Sequence, residues 1–212
     1  GIFMQKTETP GKLRTFRTPF TPSYWKEAAG EVKKPRILAV TALFIGLDII
    51  IGMFYIPMPF GDNLRVYFGY FTNSMCCMVC GPVMALIFGF VRDILGFFAN
   101  PSGGFFFGYT LSAMLGSLVY ALFFYRARIT VVRILCCKLI INVCVNILLG
   151  SLWSAILFSK GYYFYMVSST VKNLMLLPVE VILLVLFYQV TLPVLVKMKW
   201  IPEQPKGRMP LI

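Results

Sequence analysis

Apolar runs of membrane-spanning length, separated by short polar breaks, fill the chain from residue 37 to residue 196. Six spans can be drawn, each near the roughly 20 residues that cross a bilayer as a helix. The first covers residues 37–56 and stops at Pro57-Met58-Pro59. The loop Phe60-Gly61-Asp62-Asn63-Leu64-Arg65 leads to a second, weaker span over residues 66–80, diluted by Asn73 and Ser74. Gly81-Pro82 turns the chain into a third span that ends near Phe98, and Ala99-Asn100-Pro101-Ser102-Gly103-Gly104 forms the next loop. The fourth span covers residues 106–125, the fifth 131–158 and the sixth 169–196. The pattern predicts an all-α, polytopic membrane protein built as a bundle of six transmembrane helices. No repeat and no alternation of the membrane-barrel kind is visible.

Charge placement orients that bundle. Lys and Arg outnumber Asp and Glu by 20 to 8, and they gather before Ile37, in Arg126, Arg128 and Arg133, and from Lys197 onward. Basic residues bordering apolar spans mark the cytoplasmic side, so both termini are expected there. The loops at 57–65, 99–105 and 159–168 then face outside, with Arg65 and Lys160 as their only bases. Residues 1–36 read as a basic cytoplasmic tail, partly disordered, with no apolar run of the signal-peptide kind. Within it, Ser23-Tyr24-Trp25-Lys26-Glu27-Ala28-Ala29 suits a short interfacial helix. Residues 37–196 form the membrane domain and 197–212 a second cytoplasmic tail.

Composition agrees, at 58 % hydrophobic and 13 % charged against soluble averages of roughly 45–50 % and 25 %. No basic stripe interleaves with exposed aromatics, which argues against nucleic acid as a partner. Cys77 and Cys80 have CxxC spacing, but the chain holds no second CxxC and no histidine to complete a metal site. The cysteines therefore read as small hydrophobes. No phosphate-binding GxxxxGK[ST] loop occurs, and no nucleophile–base pair emerges, so no enzymatic activity and no cofactor are expected. Uphill transport would need a partner or an ion gradient.

Ionisable groups at membrane depth are expensive and mark internal polar sites. Arg92-Asp93 in the third span are the clearest, followed by Asp48, Lys138, Lys172 and Glu180. Lys138, Asn142, Asn146 and Gly150 recur every fourth residue of the fifth span, with Trp153 three further on; this spacing makes a polar stripe on one helix face. On the sixth span Asn173 and Glu180 share a face, and Pro178 is expected to kink the helix. Arg92, Asp93, Asn146, Trp153 and Lys172 all fall in the outer half, where they can converge on one cavity open to the outside. Phe105, Phe106, Phe107 and Tyr109 at its mouth suit a flat ring. Their alternative role is an interfacial aromatic belt. Asp48, Lys138 and Glu180 have pairing across helices as an equally ordinary role. The loop from Pro57 to Arg65 has the makings of a lid, with Gly61 as hinge. Ala39, Ala42 and Gly46 line one face of the first helix, and Ala85 and Gly89 repeat that small-residue pattern on the third. Such faces allow close helix approach, either inside the bundle or to another membrane subunit.

Taken together, the six spans, the small-residue face and the run from Gly81-Pro82 through Gly89 to Asp93 resemble the substrate-binding S components of energy-coupling factor (ECF) vitamin transporters. The folate-specific FolT family is the nearest likeness, through residues 64–125 and Lys172-Asn173-Leu174 with Pro178 and Glu180. The resemblance implies a non-catalytic bacterial cell-membrane protein that binds a vitamin from outside with high affinity. It also implies association with a transmembrane T component and two cytoplasmic ATPase subunits, with Ala39, Ala42 and Gly46 as the docking face.

Folate chemistry can be matched to the residues. A pterin offers an amino group and a ring N–H side by side, which one carboxylate can accept. Asp93 is the first candidate and Glu180 the second. Phe105, Phe106, Tyr109 and Trp153 can hold the benzoyl ring, with Asn146 beside them. The two carboxylates of the glutamate tail need cations, for which Arg65, Arg92 and Lys172 are available. Riboflavin would not need so many bases, and cationic thiamine would prefer an acidic site. An S component for another vitamin such as riboflavin, and a stand-alone ion-coupled transporter using Asp48, Lys138 and Glu180, are the alternatives.

Overall fold

The computed structural model describes residues 13–16, 18–57, 65–99, 101, 104–158 and 161–212. A short helix α1 (Pro22–Glu31) precedes the first long one, α2 (Pro35–Gly52). Both open on a proline, which suits the first helical turn because its missing N–H has no partner there. After α2 comes a two-stranded antiparallel ribbon, β1 (Tyr55–Pro57) and β2 (Arg65–Tyr67), where only a loop was expected. Tyr55 faces Tyr67 across it, with ring centroids 5.9 Å apart. The proposed hinge Gly61 lies outside the described residues, as do Gly103 and Lys160.

Helices α3 (Gly69–Cys80), α4 (Pro82–Ala99) and α5 (Phe107–Phe124) follow. Next come α6 (Val131–Ile140), a π-helical stretch (Ile141–Leu149) and α7 (Gly150–Leu157), which run on as one rod. The last helix, α8 (Tyr162–Lys197), has 36 residues and passes through Pro178 and Pro193. Its start at Tyr162 leaves a shorter loop than the one expected over 159–168.

Among the described residues, five helices are long and apolar enough to cross a membrane: Pro35–Gly52, Pro82–Ala99, Phe107–Phe124, Val131–Leu157 and Tyr162–Lys197. The expected second span is the exception. Its helix α3 has 12 residues, about 18 Å at 1.5 Å per residue, against a hydrocarbon core of roughly 30 Å. Of the six spans expected from sequence, five are long helices and the second corresponds to the short α3.

The short helix is the centre of the core. Cys76, Cys77 and Cys80 of α3 are fully enclosed, among Met84 and Phe88 of α4, Tyr120 and Phe124 of α5, Ile134 and Cys137 of α6, and Leu184 and Tyr188 of α8. Protein rather than lipid surrounds α3, which explains its polar content. Asn73 Oδ1 accepts hydrogen bonds from Ser117 Oγ (2.8 Å) and Cys77 Sγ (3.4 Å). Among the described residues no cluster of Cys, Asp and Glu could hold a metal ion.

Gly81 joins α3 to α4 with a φ of +90°, and the Tyr125 ring lies 3.2 Å from where a Cβ would project. Gly81, the turn after α5 and the carboxyl-terminal segment share one end of the bundle, called here the basic end. Phe16 N–H donates to Arg126 O (2.7 Å), and Val131 N–H donates to Pro210 O (3.1 Å). Tyr24 of α1 packs edge-on against Tyr125 at 5.4 Å and donates to Ala121 O, so α1 is seated against that end. Burial pushes the Tyr125 phenol up to about 12. The ribbon, the start of α5 and the start of α8 occupy the opposite, hairpin end.

Candidate functional site

At the hairpin end, the last two turns of α4 face the first two turns of α5. They can do so because Gly89 has no side chain: a Cβ there would stand 2.9 Å from Ala113 O and Met114 Cα. This close crossing places the half-buried Asp93 beside Thr110, whose Oγ1 donates to Asp93 Oδ2 at 2.6 Å. Thr110 is fully buried. Since each carboxylate oxygen can accept more than one hydrogen bond, Asp93 keeps capacity for further donors.

An aromatic group stands on the next turn of α5. Trp153 of α7 donates from Nε1 to Ser112 Oγ at 2.8 Å. Its ring lies 5.6 Å from Phe106, nearly perpendicular, and Phe106 meets Tyr109 in the same way at 5.6 Å. Gly108 sits between Phe106 and Trp153; a Cβ there would collide with Phe106 and stand 2.8 Å from Trp153 Cδ2. Phe105 turns to the other side and packs on Phe97 of α4 at 5.4 Å.

A third group joins the π-helical stretch to α8. Asn146 Nδ2 donates to Asn142 Oδ1 (3.2 Å) and to Asn173 Oδ1 (3.1 Å). Asn142 is fully buried, whereas Asn146 is exposed. Lys172, next to Asn173, is exposed and has no ion pair among the described residues. A π-helix inside a longer helix is uncommon and recurs at functional sites. No residue type had signalled it.

The remaining charged groups pair across helices. Arg92 Nη1 lies 3.4 Å from Asp48 Oδ2, joining α4 to α2. Asp48 in turn rests against the start of α3, 3.4 Å from where a Gly69 Cβ would be. The Arg92–Asp48 pair borders a cavity of about 160 Å³ that is also lined by Gly52 and Gly96. Deeper in the bundle, Lys138 Nζ pairs with Glu180 Oε2 at 2.6 Å, donates to Tyr120 Oη at 3.2 Å and lies over the Tyr70 ring at 4.7 Å.

Of the residues singled out from sequence, the structure brings Phe106, Tyr109 and Trp153 together, while Asp93 meets the same end of α5 at Thr110, two residues before the Ser112 that holds Trp153. Arg92 is directed to Asp48, Phe105 to Phe97, and Glu180 to Lys138. Arg65 is placed by its backbone alone, in β2 opposite Pro57. Thr110, Ser112 and Gly108 had escaped notice. Their signal was faint: small and polar residues spaced two and four apart on one helix, opposite an aromatic. Ala39, Ala42 and Gly46 are all exposed along α2, and a Cβ on Gly46 would meet nothing within 4 Å. Ala85 and Gly89 are instead buried.

No family model matches the chain. The folate transporter FolT of Clostridium novyi (strain NT) is 34 % identical over 154 residues, which are 72 % of this chain and 88 % of that protein. The folate transporter FolT of Leuconostoc mesenteroides is 26 % identical over 128 residues, 57 % of this chain and 69 % of that protein. A crystal structure of FolT bound with folic acid superposes with a TM-score of 0.61 at 26 % identity, covering 70 % of this chain and 88 % of that one.

Proposed function

The chain belongs to the FolT family of folate transporters, and from that premise we propose that it is the folate-binding S component of an ECF-type vitamin transporter. It takes up folate at the hairpin end, which faces outside the cell, and both termini lie in the cytoplasm. The observation that carries this reading is Asp93. A carboxylate oriented by Thr110, at the same end of α5 that gathers Phe106, Tyr109 and Trp153, offers what a pterin needs: an anionic acceptor and aromatic faces at one end of the bundle. Asn146 presents an amide from the opposite helix, and the unpaired Lys172 supplies a cation for the glutamate tail. Arg65 is a further cation for that tail, whereas Arg92 is engaged by Asp48 and Phe105 by Phe97.

The protein does no chemistry on its ligand. It works in a bacterial cell membrane as a multi-pass subunit. Release inward is driven by a T component and two ATPase subunits, with the exposed Ala39, Ala42 and Gly46 as the docking face. The alternative of a stand-alone ion-coupled carrier would use Asp48, Lys138 and Glu180, but each of these already holds a partner of opposite charge. The test is a mass spectrum of the small molecule released when the purified protein is denatured. Folate supports the reading. Riboflavin would keep an S component but change its vitamin, and ATPase subunits absent from gentle purifications would favour the carrier.

A further inference from the structure

Four cations from three separate segments meet in a pocket at the basic end. Lys34 comes from the turn before α2, Arg36 from the first turn of α2, Arg126 from the turn after α5, and Lys199 from just beyond α8. Among the described residues Glu31 is the only acidic one lining this pocket, and it is already engaged twice: its Oε1 accepts from Lys34 Nζ and Arg126 Nη2, each at 3.0 Å. Among the described residues, the partners of Arg36 are the Met198 carbonyl, at 3.3 Å, and the Trp200 ring, 5.7 Å from its guanidinium carbon. Lys199 has no side-chain partner among the described residues. Like charges gathered in this way repel one another unless an anion joins them.

Two further observations point the same way. No side chain caps the start of α2, so the positive end of that helix lies beside the pocket, although the N–H groups of Ile37 and Leu38 already donate to the Lys34 carbonyl. Arg126 and Lys199 are also the non-glycine residues of positive φ among the described residues, at 52° and 57°. Left-handed backbone is costly for a side chain that large and is tolerated where the side chain is needed in one place.

We propose that this pocket is an anion site that holds one phosphate group, tying the start of α2, the turn after α5 and the end of α8 together. Its volume of about 80 Å³ has room for a small tetrahedral anion. The phosphate comes either from the headgroup of an anionic lipid or from a soluble phosphate ion. Neither source depends on folate being the transported ligand.

The full-length protein is tested in two arms. In the first, it is placed in nanodiscs of phosphatidylcholine with a minority of phosphatidylglycerol, and retained lipid is counted by native mass spectrometry. In the second, its thermal midpoint in detergent is followed as inorganic phosphate is added, with chloride as control. The variants are the pocket pair Arg36→Ala with Lys199→Ala, and a control pair on the tail, Lys206→Ala with Arg208→Ala. Circular dichroism checks that each retains its helix content.

A lipid source predicts that phosphatidylglycerol retention falls roughly tenfold in the pocket pair and is unchanged in the control pair. A soluble source predicts a phosphate-dependent rise in midpoint for the parent that the pocket pair loses, with lipid retention equal in all three. If both pairs lose the response alike, the effect is diffuse surface charge and the site is refuted. It is equally refuted if the parent responds to neither probe.

Discussion

Thr110 donates a 2.6 Å hydrogen bond to Asp93 across the α4–α5 crossing, and the fully buried Thr110 has no freedom to turn elsewhere. The bond fixes one carboxylate oxygen and thereby aims the other. A Thr110→Val variant keeps the shape of the side chain and removes the donor. It is expected to weaken folate binding about tenfold, as loss of a hydrogen bond to a charged group costs roughly 1.5–3 kcal/mol. Titration calorimetry reads the change. Unaltered affinity would mean that Asp93 needs no orienting partner.

Gly108 is the one place on α5 where a methyl group has nowhere to go, between Phe106 and Trp153. Gly108→Ala therefore forces the two rings apart or tilts the start of the helix. Overpacking of this kind costs roughly 1–3 kcal/mol. Folate affinity should fall by at least the corresponding factor, and the Trp153 fluorescence maximum should move. A variant with parental spectrum and affinity would place the ligand away from this aromatic group.

Much of this architecture was legible in the sequence, and what escaped has physical reasons. Runs of apolar residues about 20 long have few other fates, so five long helices appeared close to their expected positions. The short helix α3 misled because its neighbours are other helices. Thr72, Asn73 and Ser74 are buried in protein and satisfied there, so the hydropathy that signals lipid contact was never required. Charges at membrane depth marked Asp48, Arg92, Lys138 and Glu180 as groups in need of a ligand or a partner, with Arg92 and Glu180 as candidate ligand contacts. Spacing along separate helices gave no way to see that they pair with one another. The π-helical stretch left no trace, because it depends on how Asn142 and Asn146 reach Asn173 on another helix. Asp93 and Trp153 stood out as polar or amphipathic groups in apolar runs. Thr110 and Ser112 did not, being common in any membrane helix.

Lys138 and Glu180 are both largely buried, and removing one strands the other. Lys138→Met or Glu180→Leu alone should destabilise the protein by about 3–5 kcal/mol, whereas the double variant should recover most of the loss. Thermal unfolding in detergent, followed across the double-mutant cycle, measures the coupling. Additive losses would show that the pair contributes no mutual stabilisation.

The small-residue face of α2 provides a test of assembly. Ala42→Trp or Gly46→Leu projects bulk away from the bundle, where a Cβ on Gly46 meets nothing. Folate binding should persist, while co-purification of the T component and ATPase subunits should be lost. Loss of both properties together would assign the face to the fold.

The account rests on Asp93 as the acceptor for the pterin edge and Lys172 as a cation for the glutamate tail. The most direct measurement is calorimetric titration of parent, Asp93→Asn and Lys172→Ala, each with folate and with a pterin that lacks the tail. Asp93→Asn places a donor where an acceptor is required and should weaken both ligands by about 10²-fold or more, with each 1.4 kcal/mol worth a factor of about ten. Lys172→Ala should weaken folate alone. Folate binding by a well-folded Asp93→Asn variant at parental affinity would contradict the account and move the pterin anchor elsewhere in the bundle.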